Sequence, residues 1–174
     1  MRFLGWLFWA TLSPILLLQL RGIGGPLEIP GVEWGIVSYE LAFTAERARE
    51  ILTLWQTAGV TESARVSLGV DGAFLVAYPM LFFTSIRLLR DYIMLKTDPL
   101  GAIARVLSWS MLACIPLDAL ENVLLWRMIA TGPTAAGALL AGLAASIKFL
   151  LVLLGIAWCL AVIGRRLTTR TPAH

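Results

Sequence analysis

Histidine is almost missing from this sequence: the chain has one, His174. That scarcity removes imidazole from every interior position. It excludes haem held by histidine within the membrane and leaves zinc without its usual mixed ligand set. Cysteine is nearly as scarce. Cys114 and Cys159 both sit in apolar stretches, and no C-x-x-C pair exists. Thiol–disulfide chemistry has no motif to rest on, so both thiols read as small buried hydrophobes. No Ser-His-Asp set, Cys-His set or phosphate-binding glycine loop can be assembled. Nothing here asks for a cofactor or a metal ion. Charge is thin as well: 14% of the 174 residues are charged, against about 25% in a soluble domain.

What is present in excess is apolar side chain. Hydrophobic residues make up 59% of the chain and the mean hydropathy is +0.81. A water-soluble fold of this length has too little interior to hide that much apolar surface. Disorder, collagen, coiled coil and a disulfide-stapled secreted scaffold are excluded with it. The composition defines an integral membrane protein, and the length predicts a single domain over 1–174.

A helix needs about 20 predominantly apolar residues to cross the hydrocarbon core. Four segments qualify, at about 3–20, 66–89, 106–129 and 135–163. The expected fold is therefore all-α: a four-transmembrane-helix bundle. The first segment lies between Arg2 and Arg21 and is followed by no small-x-small cleavage site, so it reads as an uncleaved helix, not a signal peptide. Basic residues in short loops set orientation. With the N-terminus in the cytoplasm, Arg2, Arg87, Arg90, Lys96, Arg105, Arg165, Arg166 and Arg170 lie inside, against Arg21, Arg47, Arg49, Arg65 and Arg127 outside. Six glutamates between 28 and 62 lean the other way. Both termini are thus expected in the cytoplasm and the compartment is expected to be a bacterial inner membrane. The basic cluster Arg165, Arg166 and Arg170 reads as an inner-face anchor, and no basic run is long enough for nucleic acid.

The first connection, 22–65, is too long for a bare loop and is expected to be an ordered outer cap. Gly22-Ile23-Gly24-Gly25-Pro26 reads as a flexible exit from the membrane. Val37, Tyr39, Leu41 and Phe43 alternate with Ser38, Glu40 and Ala42, the period of a half-buried strand. Val32, Trp34 and Ile36 offer a partner strand. Thr44 is placed to cap a helix with Glu46 in its first turn. There Ala48, Ile51, Leu52 and Trp55 share one face, suited either to the membrane interface or to the ends of the bundle. Gly59 ends that helix. Lys96-Thr97-Asp98-Pro99 reads as a turn opening a new helix, and the short link Thr131-Gly132-Pro133-Thr134 predicts an antiparallel hairpin of the last two helices.

Charge within the hydrocarbon is costly, so each charged residue there is a candidate site. The second segment carries Asp71 and, two turns on, Tyr78. The third carries Asp118, Glu121 and Asn122, which share a helical face. The fourth carries Lys148. Counting 1.5 Å per residue from the outer ends puts these groups between about 8 and 20 Å deep, so they are expected to converge in the outer half of the bundle. Asp118 or Glu121 should neutralise Lys148, and Lys148 competes with any divalent cation for the same oxygens. Three roles stay open: a structural ion-pair core, a pocket for a small ligand or lipid headgroup, and an acid/base site.

Other features concern packing. Pro14, Pro79 and Pro116 fall inside apolar segments, and bends at Pro79 and Pro116 would splay the second and third helices beside the acids. Gly137, Ala141, Gly142 and Ala145 give small-residue spacing, for close packing within the chain or for a homodimer or larger complex. Trp6, Trp9, Trp109, Trp126 and Trp158 read as interface-belt or lipid contacts. No internal repeat supports an inverted-repeat transporter.

Four blocks carry a resemblance: Glu40-Leu41-Ala42 with Thr44 and Trp55; Asp71, Phe74 and Tyr78; Asp118, Glu121 and Asn122; and Lys148-Phe149. Over about 37–149 the chain resembles a group of small bacterial membrane proteins with four helices. The resemblance implies that the outer cap and the buried polar cluster belong together; it implies no activity. Two functions are left: a non-enzymatic accessory or binding module for a lipid or small molecule, and an intramembrane enzyme or proton-coupled carrier with Asp118 or Glu121 as acid/base.

Overall fold

The structure is a computed structural model and describes residues 2–93 and 99–169. Among the described residues, four helices are long and apolar enough to cross a membrane. The chain runs α1 (Arg2–Gly24), a 3-10 turn (Gly25–Leu27), α2 (Ile36–Glu40), α3 (Ala45–Thr57), α4 (Thr61–Ile93), α5 (Pro99–Thr131) and α6 (Ala135–Thr169). The turn, α2 and α3 form the cap. Each long helix extends past its apolar stretch. The 33 residues of α4 make about 50 Å of helix, well beyond the about 30 Å of a hydrocarbon core. Its polar ends continue the helix where hydropathy stops.

Helix α5 packs against both α4 and α6, while α1 lies along α4. Cap helix α3 sits against α4 and α6. The cap's geometry follows from local chemistry. The Thr44 hydroxyl accepts from the Arg47 N–H at 3.2 Å and opens α3. Ala48, Ile51, Leu52 and Trp55 are all buried, so the apolar face of α3 packs onto the bundle. Trp55 packs at a tilt against the Tyr39 ring and donates its indole N–H to the Leu27 carbonyl at 3.1 Å, tying α3 to the 3-10 turn. At the hairpin, Gly132 takes φ +96°, and the Thr134 hydroxyl then accepts from the Gly137 N–H at 3.1 Å to start α6.

Two apolar clusters fill the bundle. One joins the cap to the adjacent helix ends through Leu27, Val32, Trp55, Leu125 and Ala141. The other, toward the far end, contains Ile86, Leu107, Met111, Trp158 and Val162. Asp71 of α4, Asp118 and Glu121 of α5 and Lys148 of α6 fall between these two clusters along the sequence of their helices.

Several expectations are corrected. The alternating segment is not a strand: Ile36–Glu40 is helical, and the described residues hold only an isolated bridge, Ile29 to Val32. Gly31 and Gly35 adopt positive φ and break the extended path. Tyr39 and Glu40, assigned to opposite faces, are both buried, because a helical turn seats them together on the bundle. The glycine run is not a flexible exit either. Gly22 and Gly24 complete α1, and Pro26 enters the 3-10 turn that buries Leu27. Trp158 is core, with its N–H on the Leu100 carbonyl at 3.3 Å, whereas Trp109 and Trp126 are exposed as a belt would require. On α6, Gly137, Ala141, Gly142 and Ala145 are all buried against the rest of the chain. A Cβ on Gly142 would stand 2.7 Å from the Phe43 ring, so glycine is what lets the cap approach α6. Pro99 does open α5; Lys96, Thr97, Asp98, Arg170 and His174 lie outside the described residues.

Candidate functional site

Lys148 is the hub. It is buried in the middle of α6, and its Nζ lies 2.6 Å from Asp118 Oδ1 and 2.9 Å from Glu121 Oε2. Asp118 and Glu121 are presented by one face of α5, three positions apart, so both reach the same ammonium. Tyr78, from α4, donates its hydroxyl to Asp118 Oδ2 at 2.5 Å. Both Asp118 oxygens are thereby occupied. The Phe149 ring lies 5.1 Å from the Lys148 ammonium, a favourable cation–π distance. One turn above, Asn122 donates to Asp71 Oδ2 at 2.6 Å, joining α5 to α4 a second time. These two ties join α4 to α5 beside the acids.

All six residues singled out from sequence (Asp71, Tyr78, Asp118, Glu121, Asn122 and Lys148) therefore meet in one region. One was missed. Glu40, on α2 of the cap, is buried with its Oε2 3.6 Å from Lys148 Nζ. It also faces Glu121. The available signal was that Glu40 is the lone charge in the apolar stretch 34–44. Burial pushes the Glu40 carboxyl above the ordinary carboxylate range; the Lys148 ammonium pulls the other way, and Asp71 and Asp118 add to the rise.

A cavity of about 740 Å³ opens between α1, the cap, α4 and α6. Glu40, Asp71 and Lys148 line it, together with Leu17, Phe74 and Trp34. Arg21, Glu28 and Glu33 also border it. Glu33 is exposed, and its carboxyl is held below its ordinary value by its own backbone N–H and that of Gly31, which donates to it at 3.1 Å. A second, apolar groove of about 490 Å³ is lined by residues that include Asn122, Trp126 and Arg127. Among the described residues no group of three or more His, Cys, Asp or Glu side chains is arranged to hold a metal ion.

Chemically, the Lys148 centre is a charge-assisted hydrogen-bond network, of the kind that makes charge tolerable inside an apolar bundle. Fold and site together define a multi-pass helical membrane protein with a buried lysine–carboxylate core. Comparison with protein-family models, with curated proteins and with solved structures finds no match to this chain.

Proposed function

We propose that this chain is a non-enzymatic membrane protein that binds a lipid or another amphiphilic small molecule in the cavity between α1, the cap, α4 and α6. The observation that carries this reading is the cavity itself: its wall combines apolar side chains with Glu40, Asp71 and Lys148. Ligand pockets have this composition, largely apolar with a few placed polar groups. A volume of about 740 Å³ falls within their usual range. The basic residues support an inner-membrane orientation with both termini in the cytoplasm and the cap outside.

The test is the native mass of the protein extracted from its membrane in mild detergent. A ligand retained at fixed stoichiometry is expected. Gly24 borders the cavity and its Cβ direction meets no atom within 4 Å, so Gly24→Phe should plug the space without disturbing the helix. Loss of the retained mass in that variant supports the reading; retention unchanged, or no ligand in either protein, overturns it.

The unbroken chain Tyr78–Asp118–Lys148–Glu121 favours one other reading, an intramembrane enzyme or proton-coupled carrier using Asp118 or Glu121 as acid/base. Against it, Lys148 holds both carboxylates at once, which ties up the groups such a cycle must free. Proton uptake into vesicles that is lost in Asp118→Asn would favour the carrier.

A further inference from the structure

The cavity is acidic in an uneven way. Lys148 is already committed to Asp118 at 2.6 Å and Glu121 at 2.9 Å. Glu40 is left at 3.6 Å from that same ammonium, 9% exposed, with its carboxyl set against that of Glu121 and its Oε2 without a donor from a cation or amide. A buried carboxyl oxygen without a donor stays unsatisfied, at a cost in free energy, until one arrives. Asp71 borders the same space, with Asn122 on its Oδ2. Glu28 and Glu33 also border it, so four carboxyl groups face the cavity against Arg21 and Lys148. The aromatic rings of Trp34, Phe74 and Phe149 complete the wall, and ring faces attract cations.

We propose, building on the binding reading above, that the ligand is an amphiphile bearing a protonated primary amine. Its N–H groups donate to the carboxyls of Glu40 and Asp71, and its apolar part lies against Leu17, Leu20 and Leu68. A quaternary ammonium brings the charge but no donor and leaves Glu40 unsatisfied. An anionic amphiphile meets like charge. The amine has two sources, an aminophospholipid headgroup or a free long-chain amine; Arg21 at the border would take the phosphate of the first.

The experiment titrates the delipidated full-length protein in detergent with phosphatidylethanolamine, phosphatidylcholine, phosphatidylglycerol, dodecylamine and dodecanol, reading bound mass by native mass spectrometry. Each primary amine should bind one to one and about tenfold or more tighter than its matched control, the value of a charge-assisted hydrogen bond. Glu40→Gln and Asp71→Asn should each remove most of that preference with the helical circular dichroism preserved. Glu46→Gln, on the exposed side of α3, should keep it. Dodecylamine binding without phosphatidylethanolamine binding supports the proposal and assigns the free amine. Phosphatidylcholine or phosphatidylglycerol binding as tightly as phosphatidylethanolamine, with dodecanol matching dodecylamine, overturns it. So does a preference that survives in both acid variants. If amphiphiles bind without amine preference and Gly24→Phe blocks them, this inference fails while the binding reading stands. If no probe binds, both fail.

Discussion

Lys148 and its carboxylates form a unit whose members cannot be judged singly. Removing the ammonium leaves Asp118, Glu121 and Glu40 buried together without a cation, and breaking a buried ion pair in this way costs about 3–5 kcal/mol. Lys148→Met should therefore lower the unfolding midpoint sharply in detergent. Adding Asp118→Asn and Glu121→Gln to it should recover most of the loss, because neutral groups of similar shape are left. A triple variant as unstable as the single one would argue against an ion-pair core. Glu40 gives the pH counterpart. Its carboxyl is raised above 4.5 by burial, with Lys148 on α6, Asp118 and Glu121 on α5 and Asp71 on α4 facing it. A raised value in the fold means that the neutral form is favoured there, so this contribution to stability is full below the unfolded value and is lost as pH rises through the folded one. In ligand-free protein, the melting temperature of Glu40→Gln relative to wild type should thus climb as pH increases from about 4.5. A difference that falls or stays flat contradicts the assignment.

At the scale of elements, the cap is attached to the bundle through close approaches as well as through charge. Phe43 has a positive φ and its ring lies against Gly142 of α6. A methyl group there collides with the ring, and overpacking of this kind costs about 1–3 kcal/mol. Gly142→Ala should lower thermal stability by that amount and speed proteolysis of the cap before that of the long helices. Unchanged cleavage would show that the ring simply moves aside. The elements also show where sequence patterns were legible. Thr44, the apolar face of α3 and Gly59 spelled a helix that the structure forms, because capping and amphipathic spacing are local properties. The alternation over 37–43 misled, because period-2 patterning is meaningful only when a partner strand exists. With glycines at 31 and 35 turning the chain, the segment wound into α2 and buried Tyr39 and Glu40 together.

For the whole molecule, the asymmetry of basic residues predicts the cap on the outer side of the membrane. A cysteine at exposed Thr57 should react with an impermeant maleimide on intact cells, and one at Arg105, near the start of α5, only after lysis. The reverse pattern would invert the topology. The four long helices were set by composition and hydropathy alone, since a bilayer rewards apolar length regardless of neighbours. The meeting of Asp71, Tyr78, Asp118, Glu121, Asn122 and Lys148 followed from the same physics: charge at membrane depth must find opposite charge, and few partners existed. Only the tertiary structure decided the rest. It showed that Glu40 reaches Lys148 from the cap, that the Phe43 ring of the cap lies against Gly142 of α6, and that a cavity remains beside α1. Each depends on how surfaces distant in sequence fit together, and packing of that kind leaves no periodic trace along a chain.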